Sequence, residues 1–258
     1  MKNRPLILLC LIVIVLILPA GASVSYAQNF TDDMPAIQAQ LTLNDPDTET
    51  APARDPFRRY NEWMFRVNDK IYRRIFHPVS RGYDRLVPKK ARESLSNFSR
   101  FIRTPIRFVN NLLQRKYKNA AKEFERLVIN ATFGVAGLFD IADKHFKLPA
   151  PPSENLTQTL GSWGIGSGPY IVLPILGPSD LRNIFGMIGD TALHPVTWAK
   201  ANDWEPEEIY NAWPVVDGVN NYSTSVRETY DGIMKDAINE YIAVRQIYAE
   251  STKKKIEE

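Results

Sequence analysis

The stretch Thr157–Arg182, TQTLGSWGIGSGPYIVLPILGPSDLR, sets the strongest constraint on how the chain folds. Its glycines and prolines are too dense for a regular helix. Its other residues are mostly large and apolar, among them Trp163, Tyr170 and Leu173. Surface loops are ordinarily polar, so this irregular segment requires either a packed protein interior or lipid around it. A buried crossing loop and a lipid-facing segment both remain open on this observation alone.

The composition is that of a folded globular protein, with 44% hydrophobic and 24% charged residues in a chain of 258. The net charge of +3 gives no reason to expect a nucleic-acid partner. Basic residues predominate between Arg54 and Arg126, and acidic residues predominate from Leu127 onward. The basic half suits an anionic membrane surface or an acidic partner, or it is a solvated face balanced by the acidic half.

The first 27 residues have the pattern of a secretory signal peptide. Lys2 and Arg4 precede the apolar run Leu6–Leu18, which is short for a membrane span. Small residues then predict cleavage between Ala27 and Gln28, with cleavage after Ala22 or an uncleaved signal anchor as the alternatives. Residues 28–54 are acidic and lack helical periodicity, so we predict a flexible linker there.

Residues 55–250 are predicted to form one all-α domain with amphipathic helices. Asp55 as N-cap and Pro56 as first helical residue predict the first helix, which Pro78 would end. Apolar residues within it recur at spacings of three and four, as on one helix face. The segment Tyr170–Leu173 alone has strand character.

Helix starts are predicted at further points along the chain: Pro88, Thr104, Lys116, Ser179 and about Pro206. The last helix is predicted as one long element from about Asp217 to Glu250, followed by a charged tail at residues 251–258.

Motifs for catalysis or cofactor binding are absent from the sequence. Gly164-x-Gly166-x-Gly168 has neither the preceding strand nor the following helix that phosphate binding requires. The lone cysteine, Cys10, excludes an intramolecular disulfide and a cysteine metal cluster. We therefore expect no cofactor, no metal and no enzymatic activity. The enzymatic alternative is a soluble periplasmic hydrolase in which Asp140 and His145 act as an acid–base pair.

Several short motifs, taken together and in order, resemble the VacJ/MlaA family of outer-membrane phospholipid transport proteins. They are Asp55–Phe57 with Asn61–Asp69 (NEWMFRVND), Asn110–Gln114 (NNLLQ), Thr132–Asp140 and, most strongly, Thr159–Arg182. The resemblance covers roughly residues 55–198. The sequence departs from the family in lacking a lipidated cysteine at the predicted mature N-terminus. It also has Asn183 after Arg182, where the family usually has Asp.

This resemblance implies a ring-like helical domain in the inner leaflet of the outer membrane of a Gram-negative bacterium, at the periplasmic face. A central amphipathic channel would let phospholipid leave the outer leaflet, which maintains lipid asymmetry. A soluble periplasmic lipid carrier would receive the lipid, and a porin trimer would be the membrane partner. The alternative is a membrane-associated, porin-binding scaffold without a conduit.

Polar groups and irregular backbone at membrane depth should face a cavity or protein. We therefore expect the Gly/Pro stretch and the segment before it to line or frame the channel. The candidate residues are Asn130, Phe133, Gly134, Gly137, Leu138, Asp140, Trp163, Gly164, Gly168, Pro169, Tyr170, Pro174, Gly177 and Arg182.

Overall fold

The computed structural model describes residues 55–202 and 207–257, so the predicted signal peptide and linker lie outside the described residues. The described chain is mostly helical, which confirms the all-α class. In chain order the helices are α1 (Arg58–Ile71), the first π-turn (Tyr72–Phe76), α2 (His77–Leu86), α3 (Lys89–Ile102), α4 (Thr104–Leu113), α5 (Tyr117–Thr132), α6 (Ile141–Lys144), α7 (Leu156–Ser162), α8 (Leu181–Leu193), α9 (Pro195–Ala201), α10 (Glu207–Asn221), the second π-turn (Tyr222–Val226), α11 (Arg227–Asp236) and α12 (Glu240–Glu257).

The first helix differs from its prediction at both ends. Asp55 does not cap it, because its carboxylate accepts hydrogen bonds from Asn61 Nδ2 at 2.7 Å and from Tyr241 in α12. Pro78 does not end it either, since α1, the first π-turn and α2 follow one another without a break. A π-turn already departs from the regular α-helical ladder, so a proline without an N–H is tolerated beside it.

The predicted long C-terminal helix is also wrong as a single element. Helix α10 continues through the second π-turn into α11, and the break comes at Ala237, which has extended backbone before α12 begins. Residues 251–257, predicted as a charged tail, continue α12. At α8 the cap is Asp180 rather than the predicted Ser179, because the Asp180 carboxylate accepts from the Asn183 N–H at 2.8 Å.

The Gly/Pro-rich stretch folds into a two-stranded hairpin. Strand β1 (Tyr170–Leu173), which was predicted, pairs antiparallel with β2 (Gly177–Asp180), which was not. Tyr170 lies opposite Asp180, and Leu173 lies opposite Gly177. The sequence GPSD has no strand propensity of its own, so its pairing depends on β1 and on the neighbouring helices.

Two asparagines of α1 hold the free edge of β1. The Asn61 side chain donates to the Tyr170 carbonyl at 3.1 Å and accepts from the Val172 N–H at 2.8 Å. Asn68, seven residues later on the same helix face, bonds the Leu173 carbonyl and the Ile175 N–H, both at 2.8 Å. Each amide reproduces the donor and acceptor of a neighbouring strand. The hairpin edge is therefore satisfied inside the protein.

The apolar core surrounds this hairpin. It brings together side chains from α1, one face of β1, α8, α11 and α12: Met64, Phe65, Tyr170, Val172, Met187, Ile233, Met234, Tyr241, Val244, Ile247 and Tyr248. Tyr248 also donates to the Asp180 carboxylate at 2.9 Å, which joins α12 to the end of β2. The hairpin part of the irregular stretch thus lies in a packed protein interior, as the buried-loop alternative expects, whereas residues 162–166 are exposed.

We predict that Asn61→Leu lowers the free energy of unfolding by about 2–4 kcal/mol, because it leaves one buried carbonyl and one buried N–H of β1 without partners. Chemical denaturation followed by circular dichroism measures the change. Arg66→Leu, at an exposed position of the same helix, is the matched control and should have little effect. Equal denaturation midpoints for the two variants would contradict the role of the amide.

Candidate functional site

A polar cavity of about 770 Å³ lies between α3, α4, α5, the loops after α5 and α6, and the second π-turn. We call it the polar cavity. Its wall is formed mainly by charged, amide and hydroxyl side chains: Glu93, Ser96, Asn97, Arg100, Arg103, Thr104, Arg107, Arg126, Asn130, Asp140, Asp143, Lys144, Ser153, Glu154, Asn155, Thr224 and Ser225. The volume is within the range of ligand sites in proteins.

The arginines at the back of the polar cavity are paired with buried acids. Arg103 contacts Asp217 at 2.5 Å, and Ser99 donates to the same carboxylate. Arg107 forms two hydrogen bonds to Glu123, at 2.8 and 3.1 Å. A buried charge without a partner would cost several kcal/mol, so these pairs are what allow a charged wall inside the protein.

Asp140 lies at the end of the loop that follows α5, where three hydrogen bonds fix its carboxylate. Arg126 donates to Oδ2 at 2.7 Å, while Asn130 Nδ2 and the Asp143 N–H donate to Oδ1 at 3.1 and 3.3 Å. Burial raises the pKa of Asp140, but the hydrogen bonds from Arg126 and Asn130 outweigh burial and hold the pKa below its usual value. The carboxylate is therefore a stable anion that caps α6.

The predicted hydrolase pair gains no support from this arrangement. Asp140 directs both oxygens to Arg126, Asn130 and a backbone N–H. His145 is exposed, and within the described residues it makes no hydrogen bond to Asp140. An acid–base pair requires such a contact, direct or through one water.

Arg100 is the arginine of the wall whose guanidinium is not neutralised by a carboxylate within the described residues. It donates to Asn97 Oδ1 at 2.8 Å, and its side chain is exposed. Glu93 and Asp143 are exposed acids of the same wall. The polar cavity thus offers both signs of charge to a ligand.

The outer surface around the polar cavity carries many large apolar side chains. On α5, Glu123, Arg126 and Asn130 face inward and are buried, whereas Phe124 and Val128 face outward and are exposed. Helix α8 has an outward stripe at spacings of four and three residues, and its members Phe185 and Ile188 are 59% and 62% exposed. Other large exposed apolar side chains are Trp63, Leu112, Leu113, Phe133, Val135, Phe139, Trp163 and Trp198.

Buried charged side chains beneath exposed apolar ones, as on α5, reverse the usual arrangement of a soluble protein, whereas the apolar core around the hairpin follows it. Within residues 55–202 and 207–257, no helix combines the length and apolarity needed to cross a bilayer. The same residues contain no cluster of histidine, aspartate or glutamate suited to hold a metal ion.

The predicted site residues fall into two groups. Asn130, Gly137 and Asp140 line the polar cavity, and the Leu138 carbonyl beside them accepts from Asn97 at 3.2 Å. Gly134 lies directly beneath, where a Cβ atom would come within 2.4 Å of the Phe139 carbonyl oxygen. At Gly137, whose φ is +85°, a Cβ atom would overlap the ring of Phe101. Both positions therefore require glycine.

The candidates from the Gly/Pro-rich stretch are not brought to this wall. Tyr170 is buried in the apolar core, and Arg182 is buried and donates to the Ile165 carbonyl at 2.8 Å. Trp163 and Phe133 are exposed on the outer surface. The remaining members, Gly164, Gly168, Pro169, Pro174 and Gly177, belong to the turns and strands around the hairpin.

Sequence reasoning missed most of the cavity wall. Polar residues at these helix positions are typical of a solvated face, because the local sequence does not distinguish an inward polar face from an outward one. The missed residues include Ser96, Arg100, Arg103, Arg107 and Thr224. One signal was available: the outward neighbours of such a face on α5 are large and apolar, which is unusual for a surface helix.

Comparison with known proteins identifies the family and supports the fold. The family model described as MlaA lipoprotein matches residues 53–255. The chain belongs to the MlaA lipoprotein family. It is 28% identical over 225 residues to the intermembrane phospholipid transport system lipoprotein MlaA of Haemophilus influenzae, covering 86% of this chain and 87% of that protein. It is 30% identical to the MlaA of Escherichia coli K12, over 75% of each chain.

A solved structure described as the structural basis for maintenance of bacterial outer membrane lipid asymmetry has the same fold as this MlaA family member. The two superpose with a TM-score of 0.67 at 28% identity, covering 79% of this chain and 99% of that chain. The helical fold predicted from the family resemblance is therefore confirmed.

A polar cluster beneath the cavity connects α4, α7 and α8. Asp190 accepts from the Leu156 N–H at 3.0 Å and from Asn110 Nδ2 at 3.2 Å, and Thr159 donates to Asn110 Oδ1 at 2.7 Å. Burial raises the pKa of Asp190 to about 7, although these donors oppose the shift. Burial, with a smaller contribution from Arg103, lowers the pKa of His194 to about 4.

We predict that these two groups affect stability in opposite directions with pH. Asp190 binds a proton more tightly in the folded state, so its favourable contribution to the free energy of unfolding is lost as pH rises from about 4 to 7. His194 binds a proton less tightly in the folded state, so its contribution is lost as pH falls from about 6.5 to 4. In Asp190→Asn, the melting temperature should therefore rise with pH across this window by several degrees.

The converse variant, His194→Gln, should show a melting temperature that falls as pH rises over the same range, and the unsubstituted protein should be flatter than either. Thermal melts at a series of pH values measure all three. Parallel profiles for the three proteins would show that neither group is shifted in this way.

Proposed function

We propose that this chain is the outer-membrane component of an intermembrane phospholipid transport system. It removes mislocalised phospholipid from the outer leaflet through the polar cavity and maintains lipid asymmetry. Membership of the MlaA lipoprotein family supports the substrate class. The relatives from Haemophilus influenzae and Escherichia coli are named for phospholipid transport.

The observation that carries the proposal is the reversed polarity of α5. Glu123, Arg126 and Asn130 lie inside, paired and beside the polar cavity, while Phe124 and Val128 lie on the outside. Hydrocarbon around the protein would cover Phe124 and Val128 without cost. Charged groups at that depth are stable only when they face a cavity or a partner.

The chemistry of the cavity wall suits a phospholipid headgroup. A headgroup carries a phosphate and, in many lipids, a second polar or cationic group. Arg100 offers a guanidinium to the phosphate, in the geometry that favours two hydrogen bonds. The exposed carboxylates of Glu93 and Asp143 suit a cationic or hydroxyl group.

The proposal places the chain at the periplasmic face of the outer membrane, with its apolar surface in the inner leaflet. A trimeric porin would provide the membrane neighbour, and a soluble periplasmic carrier would accept the lipid. The conduit is favoured over a scaffold because a surface for protein docking does not require a charged cavity of about 770 Å³ behind it.

We predict that Thr224→Trp abolishes most phospholipid removal, because an indole at this exposed wall position of the second π-turn protrudes into the polar cavity and obstructs the path of the headgroup. The measurement is the amount of outer-leaflet phospholipid reached by an impermeant amine-reactive reagent. The variant should accumulate this lipid as strongly as a strain in which the gene is deleted.

The matched control for this experiment is Thr132→Trp, since Thr132 is equally exposed but lies outside the cavity wall. It should behave as the unsubstituted protein. If Thr224→Trp transports normally at equal protein level, the conduit is wrong and the scaffold remains.

We predict that the double variant Phe185→Glu, Ile188→Glu loses association with neutral phosphatidylcholine vesicles by at least about tenfold, the factor that ~1.4 kcal/mol produces. Two carboxylates on the outward stripe of α8 oppose burial in lipid. Flotation of the vesicles with bound protein measures the loss.

The control adds the same two charges at exposed polar positions, Asn202→Glu and Asn239→Glu, and should float as the unsubstituted protein does. Equal flotation of both double variants would show that the apolar stripe does not enter the bilayer.

A further inference from the structure

A second, apolar pocket of about 290 Å³ lies between the hairpin turn and the two π-turns. We call it the apolar pocket. Its wall is mainly hydrocarbon, from Phe76, Ile175, Leu176, Val215, Val219 and Val226. The volume is close to the lower limit for small-molecule sites, and the lining suits a ligand without charge.

The wall of the apolar pocket is held by specific contacts. Ile175 has a left-handed backbone, with φ of +66°, which is unfavourable for a β-branched residue. Two side chains hold Ile175 in this conformation. Tyr72 of the first π-turn donates to the Ile175 carbonyl, and Asn68 of α1 accepts a hydrogen bond from the Ile175 N–H at 2.8 Å. The pocket is therefore built into the fold.

Aromatic packing joins the two π-turns across the pocket. The Tyr222 ring lies 6.0 Å from that of Tyr72 and 5.2 Å from that of Phe76, measured between ring centroids. Irregular turns of this kind inside helices often occur at functional sites. Here they shape a concave apolar surface that two regular helices in contact would fill.

The second π-turn separates the apolar pocket from the polar cavity. Thr224 and Ser225 line the polar cavity, whereas Tyr222 and Val226 line the apolar pocket. One turn of helix thus has a headgroup-like environment on one side and a hydrocarbon-like environment on the other. This pairing matches the two parts of an amphiphile.

Two polar atoms of pocket residues are buried without a hydrogen-bond partner among the described residues: Asn221 Oδ1 and Tyr222 Oη. An unsatisfied buried polar group is costly. A ligand that brings an ester carbonyl to this end of the pocket would give the Tyr222 hydroxyl an acceptor.

We infer that the apolar pocket binds one acyl chain of a phospholipid. The inference rests on the proposed function, which supplies acyl chains at the pocket opening, where the lining residue Val215 is 66% exposed. The pocket gives the chain a binding site within the protein while the headgroup region passes on the polar side of the second π-turn.

The experiment uses the full-length mature protein in vesicles that contain phosphatidylcholine with a diazirine at the end of one acyl chain. After photolysis, mass spectrometry maps the labelled residues. The expected labels are on Leu176, Val219 and their immediate neighbours. Labelling confined to the outer surface, such as Phe185 and Ile188, or no labelling, would overturn the inference.

Val219→Trp fills the apolar pocket and should lower labelling at Leu176 about tenfold. Keeping only about two methylene groups of the acyl chain out of the pocket is enough for a factor of this size. Val216→Trp is the matched control, because Val216 lies on the same helix outside the pocket lining and is partly exposed. It should label normally. If Val219→Trp does not fold, Val226→Phe is the replacement, and the map of the unsubstituted protein decides independently.

The outcome is separable from that of the proposed function. If Thr224→Trp blocks transport and the pocket is not labelled, the acyl-chain site alone is wrong. If the pocket is labelled but deletion of the gene leaves outer-leaflet phospholipid unchanged, the transport proposal fails and the acyl-chain site stands.

Discussion

The structure depends on the pairing of charged side chains that face inward. Arg103 and Arg107 line the polar cavity, and the buried carboxylates of Asp217 and Glu123 pair with them from behind at 2.5 and 2.8 Å. Removing one partner from such a pair would leave a buried charge uncompensated, which costs far more than the pair itself contributes. The pairs therefore act less as stabilisers than as a condition for keeping a polar space inside a small protein.

The same requirement explains the asparagines of α1. A hairpin placed beside the apolar core has one strand edge that water cannot reach freely. Asn61 and Asn68 supply that edge with donors and acceptors while staying on a helix, seven residues apart. The amides allow the irregular Gly/Pro-rich stretch to be buried, and the packed hairpin then fixes Ile175 and the apolar pocket.

The sequence predicted the helical class and the starts of six of the twelve described helices, because caps, prolines and apolar periodicity act within a few residues. It also predicted β1 and three residues of the polar cavity, Asn130, Gly137 and Asp140. It could not predict which polar faces point inward. Glu123 finds Arg107 sixteen positions away, and Asp217 finds Arg103 more than a hundred positions away. Such pairs exist only after the tertiary fold has formed.

The Gly/Pro-rich stretch shows the opposite limit. Its unusual composition correctly indicates that it is structurally central, and its irregular apolar backbone together with the family resemblance made it a candidate to line or frame the channel. The structure buries Tyr170 and Val172 of this stretch in the apolar core. An irregular apolar segment must be kept from water, but its sequence does not say whether protein or lipid does so. For the hairpin, the packed protein core does so.

The two compartments make most sense when considered together. A polar cavity alone would suit many hydrophilic ligands, and an apolar pocket alone would suit many hydrophobic ones. The second π-turn places Thr224 and Ser225 on one side and Tyr222 and Val226 on the other, so both environments are within one helical turn. Together, the two compartments favour an amphiphile, which has one polar and one apolar end, over a purely hydrophilic or a purely hydrophobic ligand.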